Sequence, residues 1–122
     1  MGDMLSVNCN GCGWSKSGFV GHGFNTLLNY EDIEHDLPKS FKKKLGEEKI
    51  VGLVSTPGVI VVCSSCCQID FRTHYKALGI EAEHWCSRCR KKASIVPEPN
   101  ALKICPECTN ARLEINLLGI WD

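Results

Sequence analysis

Apolar residues recur along this chain in one long helical pattern and several short strand-like ones. Between Tyr30 and Leu45, the side chains of Ile33, Leu37, Phe41 and Leu45 fall every four residues, with Asp32, Glu34, Asp36, Lys39, Lys42, Lys43 and Lys44 around them. That spacing puts one apolar stripe on a helix whose other faces meet water. Pro38 should divide the stretch in two, because it lacks an amide hydrogen and clashes with the preceding turn. Acidic residues at the start and lysines at the end suit the helix dipole, and Gly46 is a natural stop. The run Lys42-Lys43-Lys44 reads as a solvated last turn, since Glu47 and Glu48 follow it directly.

Elsewhere the apolar runs are short. Leu5 to Val7 and Trp14 to Phe24 flank a cysteine pair, and Phe19-Val20-Gly21-His22-Gly23-Phe24 alternates as a bent or bulged strand would. Lys49 to Val54 and Val59 to Cys63 are β-branched runs joined by Ser55-Thr56-Pro57-Gly58, which predicts a β-hairpin. Gln68 to Arg72 alternates like a strand, Thr73 to Leu78 reads as one short helix ending at Gly79, and Arg112 to Leu118 is a final strand. Lys92 to Val96 and Ala101 to Ile104 form two more, joined through the turn residues Pro97-Glu98-Pro99-Asn100. The pattern predicts a small α+β fold of short antiparallel hairpins, zinc-ribbon-like, with a helical insertion near residues 30–46.

Composition narrows the class. With 122 residues, 43% hydrophobic and 23% charged, the chain is too apolar for a disordered tail and fits one compact domain, 1–122. The longest unbroken apolar stretch, Val59 to Cys63, is far below the about 20 residues of a spanning helix. The first residues, MGDMLSVN, carry an acid and no basic segment, so a secretory leader is not expected and a cytoplasmic location is. Met1-Gly2 with Ser6 matches the loose myristoylation pattern, read here as chance because no basic cluster supports it. The 14 Lys and Arg balance the 14 Asp and Glu, so no global charge favours nucleic acid or anionic lipid.

The cysteines change this picture most. Eight of the nine form four C-x-x-C pairs, Cys9/Cys12, Cys63/Cys66, Cys86/Cys89 and Cys105/Cys108, and only Cys67 is left over. Two cysteines three apart on a tight turn aim both sulfurs at one ion while turn amides donate to them, and two such knuckles complete a tetrahedron. Four knuckles therefore make two four-cysteine sites, best suited to two zinc ions, with iron in a rubredoxin-like site as the rival. Three pairings are open: sequential, interleaved and nested. The sequential one is favoured, because Cys86 to Cys108 reads as a self-sufficient ribbon of knuckle, strand, turn, strand and knuckle. It would divide the chain into a first site with the helical insertion, 1–82, and a C-terminal ribbon, 83–122. His22, His74 and His84 could act as substitute ligands, but no pair lacks a cysteine. Cys67 reads as a packed or free thiol.

The opening Cys9-Asn10-Gly11-Cys12-Gly13, the segment Gly21-His22-Gly23-Phe24, the two middle knuckles, and the ending Cys105-Pro106-Glu107-Cys108 with Leu118-Gly119-Ile120-Trp121-Asp122 resemble a group of small, uncharacterised bacterial zinc-ribbon-type proteins. The resemblance implies the metal sites and a free-standing small protein, and nothing catalytic. One departure stands out: after the second cysteine of a knuckle such proteins often have glycine, whereas here Cys67, Arg90 and Thr109 follow the second, third and fourth knuckles.

Three function classes remain. A structural zinc protein that binds a protein partner would use exposed groups such as Trp14, Trp85 and Ile120-Trp121-Asp122, since aromatic residues anchor interfaces. A nucleic-acid-binding ribbon would use the local basic patch Arg88, Arg90, Lys91 and Lys92, with Arg72, His74 and Lys76. A redox or zinc sensor would release its ions to oxidants. An enzyme is not expected, because two full four-cysteine sites leave no open coordination position, and no activated serine, paired carboxylates or phosphate loop is visible. Zinc ligands are thiolates, so two zinc ions on eight of them change the formal charge by 4 − 8, giving about −4 when loaded. That correction favours a protein partner over nucleic acid.

Overall fold

The computed structural model describes residues 2–22, 27–45, 52–102, 104–109 and 113–121. Two sheets make up the fold, and the chain crosses between them repeatedly. The larger contains β1 (Gly2–Cys9), β2 (Ser15–Gly21), β5 (Gly58–Cys63), β6 (Ile69–Thr73), β9 (His84–Trp85), β10 (Lys92–Val96) and β11 (Leu113–Trp121), in the order β11-β1-β2-β5-β10-β9 with β6 also paired to β5. The smaller has the order β3-β4-β7-β8, from β3 (Leu27–Asn29), β4 (Leu53–Ser55), β7 (Lys76–Ala77) and β8 (Ile80–Glu81). All strand pairs are antiparallel.

The helical stripe forms as its spacing predicts. Helix α1 (Tyr30–Ile33) runs into a 3-10 turn (Glu34–Asp36), Pro38 separates the parts, and α2 spans Lys39–Leu45. Leu37, Phe41 and Leu45 are buried against Val54, Ala77 and Ala82, with Ile33, Tyr30, Tyr75 and Ile80 packed around them. This is the core of the smaller sheet. The larger sheet has its own, made by Leu5, Val7, Ile60, Ile69 and Leu102, with Trp14, Phe71, Leu113 and Ile115 against it. The stop expected at Gly46 lies outside the described residues.

Three expected elements take other forms. The hairpin of Lys49–Val54 with Val59–Cys63 does not form among the described residues: β4 pairs with β3 and β7 in the smaller sheet, while β5 pairs with β2, β6 and β10 in the larger. Thr56-Pro57 is therefore a crossing between sheets. Lys49 to Val51 lie outside the described residues. The short helix of Thr73 to Leu78 is instead a tight hairpin, β7–β8, whose turn residues Leu78 and Gly79 have φ 53° and 76°. Two successive positive φ values are what a two-residue hairpin turn with the native strand twist requires. The strand expected at Ala101 to Ile104 is replaced by a 3-10 turn at Pro99–Ala101, in which the Ala101 and Leu102 amides donate to Glu98 and Pro99. Proline pre-sets φ for that turn and cannot donate to a ladder.

Glycine has a structural reason where β2 meets β5. Gly21 pairs with Gly58, and a β-carbon on Gly58 would overlap the carbonyl of Phe19. A β-carbon on Gly18 would likewise overlap the Cβ and Cγ of Phe71. No helix among the described residues is long and apolar enough to cross a membrane.

Candidate metal centre

All four C-x-x-C pairs are built by one backbone device. The carbonyl of the first cysteine accepts the amide four residues on: Gly13 to Cys9 at 3.0 Å, Cys67 to Cys63 at 2.9 Å, Arg90 to Cys86 at 3.0 Å and Thr109 to Cys105 at 3.0 Å. In three knuckles the first cysteine's own amide also donates forward, to Trp14, Gln68 and Lys91. Closing such a turn needs a left-handed residue after the second cysteine. Gly13, Cys67, Arg90 and Thr109 hold that place with φ of 81°, 64°, 62° and 59°. The three residues that depart from glycine thus adopt the glycine conformation, and Cys67 supplies the left-handed turn residue beside its four-cysteine group and is not a member of it.

Strand ends deliver the knuckles. Cys9 closes β1, Cys63 closes β5 and Cys86 follows β9, while Cys105 follows the Pro99–Ala101 turn. The geometry corrects the favoured sequential pairing. Cys9, Cys12, Cys105 and Cys108 come together in one group, and Cys63, Cys66, Cys86 and Cys89 in the other, with ligand atoms in each lying within 4.8 Å of one another. The pairing is nested, first knuckle with fourth and second with third. Its cause is the sheet: β1 pairs with β11 along its whole length, which brings the two chain ends to one place, and β5 pairs with β10. Each group accordingly takes one knuckle from 1–82 and one from 83–122.

The sulfur spacing suits tetrahedral coordination. Across the outer group Cys9 and Cys108 are 3.5 Å apart and Cys12 and Cys105 3.6 Å. Across the inner group the corresponding distances are 3.3 Å for Cys63 and Cys89 and 3.4 Å for Cys66 and Cys86. All nine cysteines are free thiols. Four thiolates at about 2.3 Å from a tetrahedral ion sit about 3.8 Å apart, close to these values. Backbone amides of Arg88 and Glu107 reach the sulfurs of Cys86 and Cys105 at 3.4 Å.

The thiol acidities show what a cation would supply. The turn amides of Cys12 and Gly11, opposed by burial, bring Cys9 down to about 6. Those of Cys89 and Arg88 do the same for Cys86, also to about 6, and those of Cys66 and Ser65 lower Cys63. Their partners move the other way. The Trp14 amide favours the Cys12 thiolate, but burial and the sulfurs of Cys105, Cys108 and Cys9 outweigh it and push the thiol up to about 12. Cys66 is pushed up to about 12 by burial and its sulfur neighbours against the Gln68 amide. Four sulfurs this close repel one another as thiolates, and a bound divalent ion removes that repulsion.

The remaining expected site residues fall elsewhere. His74 and His84 are buried, with His74 Nδ1 3.0 Å from His84 Nε2 and His74 Nε2 3.1 Å from a Glu81 carboxylate oxygen. They tie the β7–β8 hairpin to β9 and belong to neither cysteine group. His22 is exposed just after β2. The basic patch is compensated in part: Arg88 donates to Glu107 at 3.0 Å, Lys92 to Glu83 at 3.3 Å and, beside the patch, Arg72 to Asp70 at 3.3 Å, while Arg90 and Lys91 are exposed. Trp14 packs on the larger core, and Trp85 is half exposed.

Two features had no clear sequence signal. Asp70, the second residue of β6, accepts from Lys16, Arg72 and the Ser87 hydroxyl, linking β2 and β6 to the third knuckle. Burial opposes ionisation there, but Lys16 and Arg72 outweigh it and hold the carboxyl below its ordinary range. Arg88 and Glu107 join the third knuckle to the fourth, so the ion pair bridges the inner and outer groups. An acid set between Ile69 and Phe71 in a strand is the one hint the sequence offers for the first.

Fold and site together define a small β-rich protein carrying two four-cysteine groups able to hold metal ions. No family model, no curated protein and no solved structure matches the chain.

Proposed function

We propose that the chain is a structural zinc protein, holding one zinc ion in each four-cysteine group and presenting its surface to a protein partner. The observation that carries the metal reading is the convergence of eight cysteines into two closed sets of four, nested within one sheet. Sulfur-only sets with C-x-x-C turns suit zinc, and a closed set leaves no coordination position for a reacting water. The need is energetic. The two cores are small, and a structural zinc site contributes on the order of 10 kcal/mol of apparent folding energy, comparable with the whole margin of an ordinary domain.

A protein partner fits the surface better than nucleic acid does. Arg88, Lys92 and Arg72 are engaged by carboxylates, whereas Leu117, Leu118 and Ile120 lie more than half exposed along β11. Reducing conditions, as in a cytoplasm, keep such thiols available.

Native mass spectrometry with elemental analysis tests the reading, on protein purified under reducing conditions. Two zinc ions per chain are expected. Iron in their place, or a chain that stays folded and metal-free with zinc in excess, overturns it. Titration with an oligonucleotide at rising salt tests the partner class, and tight binding that weakens steeply with salt would favour the basic patch after all.

A further inference from the structure

The two groups are topologically unequal. Nineteen residues separate Cys66 from Cys86, and 92 separate Cys12 from Cys105. We infer that the metal ions load in a fixed order, the inner group first and the outer last, and that the outer ion is the one released. This rests on the zinc reading above and goes beyond it by assigning the two sites different roles.

Three independent observations carry it. The first is chain entropy: closing a loop costs (3/2)RT ln n, so the inner group gains about tenfold over the outer in a chain that is not yet folded. Once the inner ion is in place, the outer closure skips the whole 63–89 segment, so the order reinforces itself. The second is scaffolding. Both inner knuckles hang on paired strands, with Cys63 opposite Ala93 in the β5–β10 ladder and Cys86 directly after the β9 strand that pairs with β10. In the outer group the first knuckle sits on the β1–β2 hairpin, but the fourth follows the Pro99–Ala101 3-10 turn, with no strand between that turn and Cys105 among the described residues. The third is access. Cys12 of the outer group is exposed, whereas all four inner cysteines are buried or half-buried.

Release of the outer ion would act at a defined place. Cys9 is opposite Leu113, the last pair of the β1–β11 ladder, so the outer ion fastens the end at which the two terminal strands meet their knuckles. Its loss frees that end while the inner ion keeps β5, β9 and β10 together.

The test uses the full chain, stripped of metal under reducing conditions and titrated with zinc. At one equivalent, native mass spectrometry isolates the one-zinc species, and alkylation with N-ethylmaleimide followed by peptide mapping reads which thiols are free. Labelling at Cys9, Cys12, Cys105 and Cys108 is expected to exceed that at Cys63, Cys66, Cys86 and Cys89 by about tenfold. Even labelling of the two groups, or the reverse preference, overturns the order. As a second arm, Cys12→Ser should hold its remaining ion at least tenfold more tightly than Cys66→Ser holds its own, and equal affinities overturn the order as well. A wild-type chain that takes up fewer than two zinc ions defeats the zinc reading itself, whereas two ions with even labelling defeats only the order.

Discussion

Gly13 and Gly119 allow backbone strain at a knuckle to be measured apart from packing. A β-carbon added at either position would meet no atom within 4 Å, so neither substitution by alanine creates a clash. The two differ in conformation: Gly13 has φ 81°, and Gly119 is not among the positive-φ residues and lies in β11 opposite Met4. Alanine held in the left-handed region costs about 1.5 kcal/mol, from which about 0.5 kcal/mol is regained because the unfolded chain is stiffer. Gly13→Ala should therefore destabilise the zinc-loaded protein by about 1 kcal/mol, a fall of about 4 °C in melting temperature at this size. Gly119→Ala, with only the unfolded-chain term, should be neutral or stabilise by about 0.5 kcal/mol. Because Gly13 donates to the Cys9 carbonyl and so closes the first knuckle, the same 1 kcal/mol should appear as about fivefold weaker binding at the outer group. Thermal melts and zinc competition with a chromophoric chelator measure both. Equal melting shifts for the two variants would refute the argument that the turn demands a left-handed residue.

Gly58→Ala should cost about 2–3 kcal/mol, because the added methyl meets the Phe19 backbone rather than a side chain that can turn aside; denaturant midpoints within error of wild type would show that β2 and β5 are not held this closely. Asp70→Asn should cost about 2 kcal/mol, since it leaves Lys16 and Arg72 without their shared anion. The sign of its pH dependence follows from a folded pKa below the ordinary 3.8: the stabilisation is present above that value and disappears as pH falls through the lower folded one, so wild type and variant should converge only in strong acid. Chelation should collapse the amide dispersion of residues at both knuckle pairs in a nuclear magnetic resonance spectrum, and a spectrum unchanged after metal removal would show that the sheets stand without the ions.

Local chemistry was legible in the sequence wherever it was decided locally. The stripe Ile33, Leu37, Phe41 and Leu45, the break at Pro38, the Lys92–Val96 strand and the clustering of the C-x-x-C pairs into groups of four all follow from spacing within a few residues, and the structure places them so. What failed was decided by partners distant along the chain. Ser55-Thr56-Pro57-Gly58 has the composition of a hairpin turn, but the strands on either side find better partners in different sheets, β4 with β3 and β5 with β10, so Ser55 and Gly58 join those strands and Thr56-Pro57 becomes a crossing. The sequential pairing failed for the same reason. A knuckle carries no information about its partner knuckle, since both halves of every tetrahedron read C-x-x-C. The partner is chosen by the sheet, and the β1–β11 ladder that brings residue 9 to residue 113 is set by apolar alternation at opposite ends of the chain. Cys67, Arg90 and Thr109 show the converse. Side chains that look wrong for a turn hold the left-handed conformation at roughly 1 kcal/mol each, a cost that a bound metal ion contributing on the order of 10 kcal/mol would outweigh. The turn rule therefore reads most clearly where glycine was kept, at Gly13, and is hidden at the three knuckles where Cys67, Arg90 and Thr109 take the same left-handed conformation.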